Sequence, residues 1–184
     1  KATTALKQKY EQKFCDLLRN ERKPSSYDIL VAYSGGKDST YTLDVLVNRY
    51  QLRILALTFD NGFISPRAEE NIRTVCGNLG ADLLIVRPNP SMLHAIFRTA
   101  AQKELYSMKT LERASTICTS CIGLIKNFVL RTAIEKEIPF VGFGWSPGQA
   151  PVQASVMKTN PALMQQALQA IYIPLHQIAG DAIN

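Results

Sequence analysis

Tyr27-Asp28-Ile29-Leu30-Val31-Ala32-Tyr33 runs straight into Ser34-Gly35-Gly36-Lys37-Asp38-Ser39, and this junction decides the fold. The first seven residues are apolar and β-prone enough for a buried strand. Beyond the glycines, Leu43, Val45, Leu46 and Tyr50 recur at helical spacing. The order is strand, glycine loop, helix. Two glycines let successive backbone N–H groups converge, and the helix that follows adds the positive end of its dipole. Such a loop binds anions, helped by Lys37 and by the hydroxyls of Ser34, Ser39 and Thr40. A Walker A motif needs a longer gap before its Gly-Lys-Ser/Thr end, and here Asp38 occupies the hydroxyl position. The dinucleotide fingerprint needs a third glycine. A carboxylate beside bound phosphates is sensible chemistry only with a divalent cation between them, so Asp38 is the candidate Mg²⁺ ligand.

The rest of the chain repeats the alternation. Thr3 to Asn20 reads as an amphipathic helix with Leu6, Tyr10, Phe14, Leu17 and Leu18 on one stripe, broken by Lys23-Pro24-Ser25-Ser26. Residues 52–60 form a second buried strand, and Ser65-Pro66 caps a helix that Gly80 closes. A third strand is expected over 82–87 and a fourth over 139–143. Helical stretches at 91–107 and 121–137 lie between those two strands, with 115–118 in a loop. Residues 146–184 remain unplaced. Strands alternating with helices require a parallel sheet with right-handed crossovers, an open α/β layer fold. Ligands in such sheets sit beyond the carboxyl ends of the strands where strand order reverses. That rule gathers the loop at 34–39, the end of strand two at 58–61 and the end of strand four at 142–146 along one edge.

Ser-Gly-Gly-Lys-Asp-Ser after a first strand resembles the PP-loop of the N-type ATP pyrophosphatase superfamily, whose members cleave ATP between the α and β phosphates to adenylate an acceptor. The resemblance covers roughly residues 27–145. It implies a three-layer α/β fold with an open parallel sheet, of the adenine nucleotide alpha hydrolase-like (HUP) type. It also implies ATP and Mg²⁺ as cofactors. Ser34, Gly35, Gly36, Lys37, Asp38 and Ser39 would hold the phosphates, with Lys37 and Asp38 in catalytic roles. Leu57 and Phe59 would wall the adenine, with Asp60 adjacent and Gly142 at the end of strand four. Read without the resemblance, Leu57 and Phe59 are buried strand residues and Asp60 leads a turn.

Cys118-Thr119-Ser120-Cys121 is a CxxC, read as lying just before an amphipathic helix, a spacing that suits one metal or a redox pair. Zinc or an iron–sulfur cluster usually takes three or four protein ligands, so the pair is half a site. Cys76 falls on an apolar helical stripe and reads as core filling; Cys15 stays open between a structural role and a ligand. The run from Cys118 through Arg131 resembles the cysteine-bearing segment of the two-thiocytidine tRNA thiolases, which implies Cys118 and Cys121 as cluster ligands or sulfur relays. Those enzymes carry Gly-His after the fourth strand, whereas this chain has Gly144-Trp145-Ser146-Pro147-Gly148-Gln149. The Tyr27-Asp28 lead-in, the Asp60-Asn61 pair and Asn71-Ile72 are similar instead to the PP-loop sugar amidotransferases. Sulfur and nitrogen both remain open as the incoming atom, as do tRNA and a small molecule as acceptor, with a sulfur or ammonia donor protein as partner. His94 reads as a helix-surface residue, and His176 as a tail residue with a minor claim as a ligand.

The 184 residues, 46% hydrophobic and 20% charged, describe an ordinary globular chain. The expected organisation is a leading helix and linker over 1–26 and a PP-loop ATP-binding domain over 27–184, the whole a piece of a longer protein. Four cysteines are too few for a disulfide scaffold and point to a reducing, cytoplasmic setting. No uninterrupted apolar run of about 18 residues is visible, so no membrane span is expected. The net charge of +6 invites a nucleic-acid partner. Seven of its basic residues, Lys1, Lys7, Lys9, Lys13, Arg19, Arg22 and Lys23, crowd into the leading segment, as on a solvated helix face. A homodimer through that helix and the tail is one open arrangement. Against the enzyme stand a non-hydrolytic ATP-binding sensor and a scaffold module with an idle loop.

Overall fold

The computed structural model describes residues 4–112, 114–145, 152–158 and 161–183. Ser146, Pro147, Gly148 and Gln149, part of the departure from the thiolase pattern, lie outside them. Helix α1 (Thr4–Glu21) leads into β1 (Ile29–Ala32), the glycine loop and α2 (Lys37–Asp44), which continues as a π-helical turn over Val45–Arg49. Then come β2 (Ile54–Phe59), α3 (Pro66–Leu79), β3 (Asp82–Val86), α4 (Pro90–Gln102), α5 (Met108–Leu111), α6 (Thr116–Glu135) and β4 (Phe140–Phe143). The tail that the sequence left unplaced forms α7 (Pro161–Ala167), a second π-helical turn and α8 (Ile173–Ile183).

The fold is α/β, with a four-stranded parallel sheet of order β3-β2-β1-β4 flanked by helices. Leu30 stands opposite Leu55 on one side and Val141 on the other. The chain steps outward from β1 to β2 to β3 and then returns to the far side of β1. Strand order therefore reverses between β1 and β4, the place beyond whose carboxyl ends sheets of this kind bind ligands.

The chain divides into two compact units, residues 1–58, 65–85 and 129–158, and residues 59–64, 86–128 and 159–184. In the first, Ile29, Val31, Leu43, Ile54 and Ile72 are buried in one cluster. Phe14 and Leu18 of α1 pack against that cluster, so the leading helix caps the core as its apolar stripe predicts. Helix α3 keeps its predicted ends: Ser65 Oγ accepts from Ala68 N at 3.2 Å, Pro66 opens the first turn, and Gly80 closes it at φ +65°. In the second unit Phe59, Leu93, Ile96, Phe97, Leu175 and Ile178 form the core. Gly123 of α6 lies so close to the tail that an added Cβ would come within 2.9 Å of Ile171 Cγ2 in the second π-helical turn and 3.1 Å of Leu175 Cδ2 on α8.

One expectation is corrected. Helix α6 begins at Thr116, so Cys118 and Cys121 lie within its first turns rather than ahead of it. It is also long and apolar enough, at a mean hydropathy of 1.4 over its most apolar window, to cross a membrane by length and composition alone. Scattered hydroxyls and Lys126 hide that average from a search for unbroken apolar runs. Its Cys121, Leu124, Ile125 and Phe128 pack against the core of the second unit.

Asp28 is fully buried at the foot of β1. Arg22 grips it through two bonds of 2.7 Å, while Arg53 supplies its backbone N–H at 2.8 Å and its guanidinium at 2.9 and 3.2 Å. Burial pulls the carboxyl pKa upward, yet the bonds from Arg53 and Arg22 outweigh it and hold the pKa well below the ordinary 3.8. Because the folded-state value is the lower one, this carboxylate's stabilisation is complete above pH 3.8 and fades as the pH falls toward the folded value. Asp28→Asn is expected to cost about 2 kcal/mol at neutral pH. It should also flatten the acid side of the stability profile, measured as urea midpoints between neutral pH and acid.

Candidate functional site

The loop after β1 owes its shape to two different glycine requirements. Gly35 sits at φ +74°, and a Cβ there would lie 2.5 Å from Cγ1 of Ile72 on α3, so both backbone conformation and space demand glycine. Gly36 is extended, at φ −75° and ψ 161°, and is the N-cap of α2 with no side chain capping the helix. The first intrahelical bond there runs from Thr40 N to Gly36 O at 2.9 Å, which leaves the first-turn N–H groups to meet an anion. Hydroxyl bonds brace the turn. Ser34 Oγ and Ser39 Oγ are 3.1 Å apart, Ser39 Oγ donates to Gly36 O at 3.0 Å, and Tyr33 OH meets Thr40 Oγ1 at 3.1 Å. Ser39 is buried, so its hydroxyl supports the loop from beneath.

Lys37 and Asp38 project outward. Lys37 Nζ reaches Asp38 Oδ1 at 3.0 Å, with the lysine side chain 89% exposed and the aspartate 40%. A surface pair of this kind contributes little stability, and both groups can be redeployed to a ligand. An accessible carboxylate beside an uncapped helix start fits Mg²⁺, which binds through one or two carboxylates plus phosphate oxygens.

Leu57 pairs with Ala32 within the sheet, and its carbonyl accepts Tyr33 N at 2.8 Å. Its side chain is only 1% exposed, so ligand contact there would be through backbone. Gly142 lies inside β4 opposite Val31, where a Cβ would meet Ile29 Cδ1 at 3.3 Å. Gly144, which the strand-end rule includes in the 142–146 region without giving it a role of its own, reaches the start of α2. A Cβ on Gly144 would fall 2.4 Å from Cα of Ser39, so the carboxyl end of β4 rests directly on the first turn of α2. Gly142-Phe143-Gly144 at a strand end was the available signal.

The first unit thus brings together Ser34, Gly35, Gly36, Lys37, Asp38 and Ser39 with Leu57 and Gly142 on neighbouring strands. Phe59, Asp60, Cys118 and Cys121 belong to the second unit. Phe59 is buried there, its ring 5.6 Å from that of Phe128. Asp60 accepts from Arg87 Nε at 2.6 Å and from Gly62 N at 2.9 Å, and the Arg87 guanidinium holds its carboxyl below the usual range.

Cys118 is exposed, and its N–H donates to Ser115 Oγ at 3.3 Å. Cys121 is half-buried; Asn61 Nδ2 donates to its Sγ at 4.0 Å. Burial pushes the Cys121 thiol up, against the opposing pull of the Asn61 amide. Among the described residues, no group of three or more His, Cys, Asp or Glu is placed to hold a metal. The two sulfurs therefore do not amount to the donor set of a zinc or iron–sulfur site. Cys76 is buried and its thiol is pushed up to about 11, in keeping with core filling, and Cys15 is half-buried. His94 is exposed on α4 with its ring 6.1 Å from that of Phe63, and His176 is exposed on α8.

No protein-family model matches the chain. Over 125 residues it is 31% identical to an uncharacterised protein of Methanocaldococcus jannaschii, covering 67% of this chain and 40% of that protein. Its structure is similar to the NH3-dependent NAD synthetase of Campylobacter jejuni, with a TM-score of 0.53 at 14% identity, over 78% of this chain and 58% of the other. It is also similar to NMN synthetase from Francisella tularensis, with a TM-score of 0.52 at 15% identity, over 92% and 73%. The U34-tRNA thiolase NcsA of Methanococcus maripaludis, solved with its 4Fe–4S cluster, overlaps at a TM-score of 0.47 and 17% identity, over 77% and 48%. The chain thus spans well under two thirds of the archaeal relative and of the NAD synthetase. These solved neighbours are members of the PP-loop ATP pyrophosphatase superfamily, and the chain shares the α/β fold of the two synthetases.

Proposed function

We propose that this chain is the ATP-binding part of a PP-loop adenylating enzyme, which activates an acceptor oxygen with AMP and releases pyrophosphate. The observation that carries the reading is the uncapped start of α2 behind Gly35 and Gly36, with Lys37 and Asp38 exposed at its mouth. An acceptor oxygen attacks the α phosphorus and the α–β anhydride bond breaks. Charge then accumulates on the departing pyrophosphate, where fixed N–H donors and a lysine are the groups required. The first turn of α2 supplies the donors, joined by the Gly36 N–H once it leaves Ser34 Oγ, to which it donates at 3.4 Å, and Lys37 supplies the positive charge. Asp38 would hold Mg²⁺, which when bound neutralises phosphate charge. The strand-end backbone from Leu57 to Asp60, with Gly142, is assigned to the adenine by the resemblance.

Sulfide or ammonia then displaces AMP, making the whole protein a sulfurtransferase or an amidotransferase. Its acceptor is a small molecule or a tRNA, its setting the cytoplasm, and its donor a partner protein or a free nucleophile.

Titration calorimetry with ATP and with inorganic pyrophosphate, each with and without Mg²⁺, tests the reading. Both are expected to bind, and more tightly with the metal. Failure of both to bind would sink the proposal and leave an idle scaffold. Tight ATP retention with no AMP formed, across candidate acceptors, would point to the non-hydrolytic sensor.

A further inference from the structure

We propose that Cys118 and Cys121 form a reversible dithiol–disulfide couple at the start of α6, and that its closure releases Asn61 and loosens the loop that follows β2. The inference stands apart from the ATP reading, since every residue it uses lies in the second unit.

Three observations carry it. Two thiols stand one helical turn apart, and no third metal-type ligand joins them among the described residues. Helix geometry puts Cα atoms three residues apart at about 5 Å, inside the range a disulfide spans. The Cβ atoms, at roughly 5–6 Å, must approach by roughly 1–2 Å, and a helix's first turn accommodates this by tightening toward 3₁₀ geometry.

The third observation is the Asn61 side chain, which is engaged at both ends. Its Nδ2 donates to Cys121 Sγ at 4.0 Å, and its Oδ1 accepts Phe63 N at 3.1 Å. Drawing Cys121 Sγ toward Cys118 breaks the first contact and weakens the second. Gly62, at φ +85°, and the exposed Phe63 form the adjacent turn, in which the Gly62 N–H is held separately by Asp60 Oδ1 at 2.9 Å, so the loss falls on the Phe63 amide.

The chemistry balances with a low-molecular-weight disulfide as oxidant. The thiolate of exposed Cys118 attacks one sulfur of that disulfide and expels one thiol, leaving a mixed disulfide on Cys118. Cys121 then attacks Cys118 Sγ and expels the second thiol. Two protein thiols are oxidised and one external disulfide is reduced to two thiols, the protons passing to the leaving thiolates.

The test is equilibration of the chain with oxidised glutathione, alkylation in denaturant and peptide mapping. One peptide holding an internal Cys118–Cys121 disulfide is expected, reversed by dithiothreitol, with Cys15 and Cys76 alkylated throughout. A stable glutathione adduct on Cys118, or both cysteines alkylated, overturns the proposal. So does stoichiometric zinc or iron in protein purified without oxygen, if Cys118→Ser removes it. Hydrogen exchange at the Phe63 amide should quicken about 2- to 10-fold on oxidation, as expected for loss of one ordinary hydrogen bond. In Asn61→Ala that amide should exchange fast in both redox states while the disulfide still forms. Exchange that ignores oxidation in the unaltered chain overturns the coupling.

Discussion

Gly144→Ala is expected to unseat the glycine loop, while Gly142→Ala two residues earlier leaves it in place. At Gly144 the new methyl would fall 2.4 Å from Cα and 2.9 Å from N of Ser39, and backbone in the first turn of a helix cannot rotate away. Either the end of β4 or the start of α2 must move. Overpacking of this kind typically costs 1–3 kcal/mol and occasionally more. About 3 kcal/mol is expected here, corresponding to a fall in melting temperature on the order of 6–12 °C for a chain of this size. Affinity for MgATP should fall with it if, as proposed, the first turn of α2 holds the phosphates. At Gly142 the methyl would meet Ile29 Cδ1 at 3.3 Å, the far end of a flexible side chain, and the cost should stay below about 1 kcal/mol. Thermal unfolding and ATP titration of the two variants side by side decide the matter. Equal behaviour would mean that β4 does not buttress the loop.

Lys37→Ala should give the opposite profile, an intact fold with a weakened ligand grip. The side chain is 89% exposed and pairs only with its neighbour Asp38, so melting should not change. A lysine that contacts phosphate makes a charge-assisted bond worth about 1.5–3 kcal/mol. Affinity for MgATP should therefore drop by roughly 10- to 150-fold. An unchanged affinity would assign the loop to structure alone, as the scaffold reading requires.

The strand, the glycine turn and the helix after it were legible because each is written locally. An apolar run, two adjacent glycines and a helical stripe need no knowledge of distant residues. The same holds for α3, where Ser65-Pro66 and Gly80 mark both ends. What escaped was written through space. The claim of Gly144 on Ser39 links residues 105 positions apart, and nothing local distinguishes it from Gly142. The arginine clamp on Asp28 joins residues 6 and 25 positions away, so Asp28 looked like an ordinary lead-in to a strand. The tail helices were harder to see because much of α7 and the turn after it is exposed, and because the stripe of α8 that meets the core, Leu175, Ile178, Ala179 and Ala182, is half alanine and stands out weakly from its surroundings. The CxxC was placed ahead of α6 because Ser115 and Thr116 read as loop residues. Ser115 is instead a helix-start residue whose hydroxyl accepts the N–H of Cys118.

The clamp on Asp28 also bears on where this chain can be shortened. Tyr27 is an inviting place to begin an expression clone, since it would discard a basic helix and start cleanly at the sheet. Such a clone would carry away Arg22, leaving a carboxylate sealed under β1 with Arg53 as its sole guanidinium, and would uncover the apolar floor beneath Phe14 and Leu18. Clones begun at Thr4 and at Tyr27 should accordingly partition between supernatant and inclusion bodies in opposite proportions.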